Sequence, residues 1–332
     1  MQIYSLIFHA MNSKPRISYI SQFFILLGLV VGGLIISSIA VLIMWKLLVG
    51  GDLMNIQKDM MNPSNANVLK LVQVISTLIG FCFPALIFAM IVNKKPAKHL
   101  GLKTKFNWIQ AGLTTLIMMV AFYLSGSLAE LTNYIPISDS LEKTFKALEK
   151  TYTEQVMLMA NMNSIGDYLF TLLVIAIAPA FFEELLFRGA LQQLMVNWTK
   201  NAWLGIIITS LLFSAIHFSY YGFLSRTALG IILGFLFYYS KSLWLPIIAH
   251  FINNGVAVTM MYVMKQQGKL STEILEEKFP IWWGVIALAI ITAIFIIYKR
   301  ESKKFGNYYV DNTETISDNP FEDERYRQLE KM

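Results

Sequence analysis

Apolar residues in this chain come in runs of about twenty, the length an α-helix needs to cross the hydrocarbon core of a bilayer. The runs are Tyr19–Leu47, Val68–Val92, Trp108–Leu131, Tyr168–Phe187, Ala202–Phe218, Phe223–Tyr239, Leu243–Met264 and Ile281–Tyr298. The pattern predicts eight spans and an all-α fold, a polytopic integral membrane helical bundle. Residues Gly189 to Trp198 continue the helical pattern of the fourth run, so that span is expected as one long tilted helix. The longest connection, Thr132 to Gly166, carries Leu141, Phe145 and Leu148 at helical spacing. It predicts an amphipathic helix on the non-cytosolic surface, serving either recognition or simple connection. No internal repeat is visible, which weighs against inverted-repeat transporters.

Composition agrees with the pattern. Of 332 residues, 56% are hydrophobic and only 14% charged, and the mean hydropathy of +0.54 excludes a soluble domain. The first run is too long for the core of a signal peptide and is read as a retained helix. The one cysteine, Cys82, lies in a span, so an internal disulfide is impossible and a packing role is expected. The net charge of +6 does not point to nucleic acid, because the basic residues sit beside spans. Lys14 and Arg16 precede the first span. Lys94, Lys95, Lys98, Lys103 and Lys105 fill the loop after the second, and Lys299, Arg300, Lys303 and Lys304 follow the last. With eight spans these groups fall on one side, so both termini are expected in the cytosol. The segment Glu301–Met332 reads as a flexible cytosolic tail.

Against this apolar background the pair Glu183-Glu184 is expensive: a charged side chain at the centre of a membrane helix costs roughly 2.5–3.5 kcal/mol on insertion scales. Helix geometry separates the two. Glu184 and Arg188, four apart, share a face and are expected as an ion pair, whereas Glu183 points about 100° away and is free to face a cavity. Pro179 cannot donate a backbone hydrogen bond and would leave the Ile175 carbonyl open, so a kink is expected beside the acidic pair. His9 and His99 lie outside the spans, while His217 and His250 lie inside them. His250 and Asn254, four apart, project from one face of their span. A carboxylate, two imidazoles and an amide suffice to hydrolyse a peptide bond. Glu183 would take the proton from water, His217 would position that water, and His250 with Asn254 would stabilise the oxyanion. Gly230 and Gly234, also four apart, would permit close helix contact.

Glu183-Glu184-Leu-Leu-Phe-Arg188, Phe213-Ser-Ala-Ile-His217 and His250-Phe-Ile-Asn-Asn254 resemble, in order and spacing, the motifs EExxxR, FxxxH and HxxxN/D. These belong to the CPBP family of intramembrane proteases, the CAAX protease and bacteriocin-processing (Abi) family. The resemblance covers about Tyr168 to Met264. It implies a helical membrane core in which Glu183 is the catalytic base, His217 its water-positioning partner, and His250 and Asn254 the oxyanion stabilisers, with Glu184 and Arg188 in support. It also implies a bacterial plasma membrane location and a membrane-associated or apolar peptide substrate. The chain thus divides into N-terminal helices and loop (1–167), catalytic core (168–264), a final span (265–300) and the tail (301–332).

The family is commonly labelled metalloprotease, which makes Zn2+ a candidate cofactor with Glu183, His217 and His250 as the ligand set. The helical H-E-x-x-H spacing of many zinc proteases is absent, Asn254 is a poor zinc ligand, and a metal-free glutamate mechanism is favoured. Two other functions remain open: a non-proteolytic immunity or scaffold protein of the same family, and a transporter. Depth also poses a problem, since His217 falls near the outer end of its span and Glu183 near mid-membrane.

Overall fold

A computed structural model describes residues 17–102, 106–272 and 279–312. His9, Lys14, Arg16, Lys103, Lys105 and the tail beyond Asn312 lie outside the described residues. The described chain is helical: α1 (Tyr19–Leu48), α2 (Pro63–Val92), α3 (Trp108–Thr132), α4 (Asp139–Met159), α5 (Ile165–Thr199), α6 (Ala202–Ala215), α7 (Phe223–Ser240), α8 (Trp244–Gln266) and α9 (Ile281–Asn312). Among the described residues, all of these except α4 and α6 are long and apolar enough to cross a membrane, which makes seven. The eighth apolar segment, α6, has 14 residues. At 1.5 Å per residue it rises about 21 Å, short of the ~30 Å hydrocarbon core.

The outward faces follow from the solvent. Ile35, Ile36, Ile39 and Ile43 of α1 are exposed in the isolated chain, as a helix facing lipid should be. Inside, one apolar cluster joins α1, α2 and α5 through Leu26, Phe88, Leu185 and Leu194. A second joins α3, α7, α8 and α9 through Ile117, Leu236, Leu245 and Ile291. The polar residues of α5 and α8 lie where these clusters meet.

Three small-residue contacts set the spacing. A Cβ on Gly284 of α9 would come within 2.7 Å of Ser127 Cβ in α3. One on Gly230 would meet Ser210 Cβ at 2.9 Å, and one on Gly234 would meet Ile206 Cγ2 at 2.7 Å. The Gly230–Gly234 pair therefore brings α7 against α6, the close contact their spacing permits. Gln192 of α5 completes the junction, donating from Nε2 to the Gly234 carbonyl at 3.0 Å.

Two elements differ from expectation. The last helix continues past Tyr298 to Asn312. Tyr298 Oη donates to the Leu236 carbonyl (3.1 Å), and Gln110 Nε2 reaches Ser302 Oγ (2.6 Å), so the extra turns are tied to α7 and α3. The amphipathic helix α4 is present, but Leu141 and Leu148 are exposed. The face it turns to the protein is Phe145, Glu149 and Tyr152. Phe145 stacks on Tyr220 at 4.6 Å, Glu149 accepts a hydrogen bond from Ser219 Oγ at 2.8 Å, and the Tyr152 ring lies 5.5 Å from the Arg226 guanidinium carbon.

Gly234→Ala is expected to lower stability by about 1–3 kcal/mol through overpacking against Ile206. Gly28→Ala, which meets nothing within 4 Å, should leave it unchanged or slightly raised. Thermal unfolding of the two variants in detergent checks the contrast.

Candidate active site

α5 changes its winding twice around the acidic pair. Over Leu173–Ile177 and Leu185–Gln192 the backbone opens to π-helical turns, with Ala178 N–H donating five residues back to the Leu173 carbonyl. The first opening has an evident cause. Pro179 has no N–H to give to the Ile175 carbonyl, and the wide turn relieves the clash a proline ring makes with the preceding turn. The freed carbonyl does not stay bare: Asn254 Nδ2 of α8 donates to Ile175 O at 3.1 Å. Asn254 Oδ1 accepts in turn from Asn253 Nδ2 at 3.1 Å. α2 repeats the device, with a wide turn at Leu78–Cys82 just before Pro84.

Glu184 and Arg188 are completely buried and form an ion pair, Nη1 to Oε1 at 2.6 Å. The same oxygen accepts from His250 Nδ1 at 2.8 Å. Arg188 Nη2 donates to the Gly230 carbonyl at 3.2 Å, and its guanidinium lies over the Phe213 ring, 4.6 Å from the centroid. One oxygen and one guanidinium thereby join α5 to α6, α7 and α8. Glu183 lies on the other side of the His250 ring, Oε2 to Nε2 at 4.0 Å. Adjacent carboxylates turned about 100° apart can flank one imidazole on both its nitrogens. Glu183 Oε2 is buried and makes no hydrogen bond to the protein.

His217 sits just past α6. Its Nδ1 donates to the Phe213 carbonyl at 2.8 Å, since a carbonyl can only accept. Its ring packs edge-on to Phe213 at 5.2 Å, and the His250 ring does the same at 5.9 Å. Phe213 therefore stands between the two imidazoles and under Arg188. The shortness of α6 answers the depth problem: a helix rising about 21 Å from one face ends inside the bilayer.

Of the residues singled out from sequence, Glu183, Glu184, Arg188 and His250 are in mutual contact, and His217 joins them through Phe213. Asn254 is one turn along α8 from His250, with one amide hydrogen spent on Ile175. Glu184 serves two partners, of which sequence spacing gave only Arg188; His250 is far away in the chain and no helical register reports it. Sequence reasoning also passed over Arg226. Its signal was a lone cation in the apolar run Phe223–Tyr239. As for zinc, among the described residues no three His, Cys, Asp or Glu side chains are grouped to hold a metal ion. The Nδ1 bonds of His250 and His217 leave each Nε2 bare, but Glu183, His217 and His250 are not gathered into such a group, and no step below passes through a metal. An apolar groove of about 570 Å3, lined by Leu172, Phe251, Gly255, Val256 and Met260, lies on the opposite face of α8 from His250.

A bundle of membrane-length helices with carboxylates, imidazoles and a guanidinium buried at its centre is an integral membrane protein with an acid–base site. Residues 165–256 match the family model described as type II CAAX prenyl endopeptidase Rce1-like. It is 33% identical over 124 residues to the uncharacterized protein YpbD of Bacillus subtilis, covering 35% of this chain and 59% of that protein. It is 40% identical over 93 residues to an uncharacterized 24.3 kDa protein of Escherichia coli, covering 26% of this chain and 42% of the other. The chain thus spans about three fifths or less of the curated relatives it matches. No solved structure matches.

Two stability outcomes follow. Arg188→Met should cost about 3–5 kcal/mol, because it strands a buried carboxylate, and Glu184→Gln in the same chain should recover much of that loss. Chemical unfolding of the two single variants and the double variant measures the coupling. Asn254→Ala should cost about 1–3 kcal/mol by leaving the Ile175 carbonyl without a donor.

Proposed function

We propose that this chain is an intramembrane endopeptidase that hydrolyses peptide bonds of membrane-associated or apolar substrates, using water activated by Glu183. The observation that carries the reading is the contrast between the two glutamates. Glu184 is held through Oε1 by Arg188 and His250, whereas neither oxygen of Glu183 is bonded to the protein and its Oε2 is buried beside His250. A fixed acceptor of this kind is suited to take a proton from water.

His217 and His250 then have different tasks. With Nδ1–H committed to the Phe213 carbonyl, neutral His217 has a bare Nε2, which can accept from the nucleophilic water and orient it. His250 Nδ1 already donates to Glu184, so donating to an oxyanion through Nε2 requires protons on both nitrogens. Water oxygen adds to the scissile carbonyl as Glu183 takes its proton, and the oxyanion receives hydrogen bonds from His250 Nε2–H and the remaining amide hydrogen of Asn254. Collapse breaks the carbon–nitrogen bond, and the proton held by Glu183 passes to the departing amine.

Glu183, His217, His250 and Asn254 thus touch the reacting atoms, while Glu184 and Arg188 are positioning residues. The family match and the three motifs support the protease reading over the immunity or transporter alternatives. Membrane lipid surrounds the catalytic core, and a bacterial plasma membrane with cytosolic termini fits the flanking lysines.

In detergent, wild-type protein should cleave members of a hydrophobic peptide library, and Glu183→Gln should lower kcat at least ~10²-fold, the scale of general-base catalysis, without loss of thermal stability. Cleavage should persist after exhaustive treatment with a tight chelator. An unchanged Glu183→Gln rate would sink the glutamate mechanism, and loss on chelation with recovery on added zinc would assign it to a metal.

A further inference from the structure

Arg226 stands in the first turn of α7, beside the polar cluster but outside it. Its Nη1 is buried and makes no hydrogen bond. Its one packing partner of note is the Tyr152 ring of α4. Among the described residues no carboxylate forms an ion pair with it. It stands one helical turn before Gly230, whose carbonyl accepts from Arg188 Nη2, so its turn of α7 adjoins the Glu184–Arg188 pair. Two further buried hydroxyls in this region, Tyr220 Oη and Thr227 Oγ1, also make no hydrogen bond. Tyr220 and Arg226 are covered by the same face of α4, through Phe145 and Tyr152.

A buried guanidinium nitrogen without an acceptor is costly, and so is each unpaired buried hydroxyl. Glu183 does not settle the account, since its free oxygen is needed for water. The three orphan groups are all donors, so the missing piece is an acceptor, and one carrying negative charge best complements the guanidinium. It must enter from the end of the bundle that α4 covers. A peptide lying across Glu183 and His217 would bring its own groups there.

We propose that Arg226, assisted by the Tyr220 hydroxyl, binds a carboxylate of the peptide substrate and so fixes which bond reaches Glu183. The carboxylate is that of the substrate's chain terminus or of an acidic side chain near it. This rests on the endopeptidase reading. It makes Arg226 a specificity-determining residue, because a charge-assisted hydrogen bond formed with substrate shows mainly in KM.

The test uses the full-length protein in detergent with one cleavable peptide in three forms: free C-terminal acid, C-terminal amide, and amide with a terminal Glu residue. Wild-type protein should cleave the free acid with a KM lower than that of the amide by about tenfold or more, the scale of one charge-assisted hydrogen bond. In Arg226→Met the acid-to-amide ratio of KM should collapse to about one, and Arg226→Lys should restore part of it. The ratio is the informative quantity, because loss of the nearby cation can alter kcat for every peptide alike. Recovery of low KM by the terminal-Glu amide assigns the site to carboxylates generally; failure of that peptide assigns it to the chain terminus. Equal cleavage of acid and amide by wild-type protein overturns the proposal, as it would if the guanidinium served a lipid phosphate instead. A preference that survives in Arg226→Met overturns it as well. The wild-type comparison stands even if the variants do not fold, and absence of any cleavage by wild-type protein would count against the protease reading itself.

Discussion

Glu184 Oε1 accepts two hydrogen bonds, from Arg188 Nη1 at 2.6 Å and from His250 Nδ1 at 2.8 Å, and the arrangement of four helices depends on that oxygen. A lone carboxylate at this depth would be among the most costly groups in the protein. Paired, it becomes a junction. Arg188 carries the connection onward to the Gly230 carbonyl of α7 and the Phe213 ring of α6, while His250 carries it to α8. Burial raises the stakes of each link, because water is not available to replace a lost partner. The same bonds fix the imidazole: with Nδ1 tied to Glu184, His250 can present only Nε2 toward Glu183. Folding and chemistry therefore make the same demand on Glu184.

The backbone of α5 obeys the rule that polar groups in lipid must be satisfied from within the protein. Pro179 breaks one hydrogen bond, the π-turn absorbs the distortion, and Asn254 closes the remaining vacancy at the Ile175 carbonyl. This costs Asn254 half of its donor capacity, leaving a single amide hydrogen for any oxyanion. The asparagine is thus a staple between α5 and α8 as much as a candidate reactive group. An aspartate there, ionised, could not donate to Ile175 at all.

Much of the fold was legible in the sequence because lipid imposes a simple pattern: long apolar runs become helices, and all eight did, seven of them at membrane-spanning length. The failures have local causes. α6 was read to Phe218 because its apolar run continues, yet the helix ends at Ala215, where Ser214 Oγ bonds instead to the Phe223 carbonyl. The last helix outran its apolar segment because Gln110 and Leu236, distant in the chain, hold Ser302 and Tyr298. In the site, helical spacing reported the Glu184–Arg188 pair. It was silent on contacts between helices: His250 on Glu184, Asn254 on Ile175, and Arg188 on Gly230.

The shortness of α6 also bears on the proposed use of water by this site. A full-length span would have carried His217 to the outer surface, away from Glu183. At 14 residues α6 is shorter than the hydrocarbon thickness, which would leave the turn 216–222 recessed if the helix starts at one face. The recess exposes polar groups of that turn which lipid could not satisfy, and α4 covers them with Phe145, Glu149 and Tyr152. An amphipathic helix suits this place better than a membrane span, since its other side must face the aqueous interface. Glu149, a charged residue turned inward on α4, bonds Ser219 within the turn, so the cover is registered to the recess by a polar contact as well as by ring stacking. A short helix, a recessed turn and a covering helix are in this sense one solution to one constraint: bringing an imidazole and a carboxylate together inside lipid while keeping a route for water.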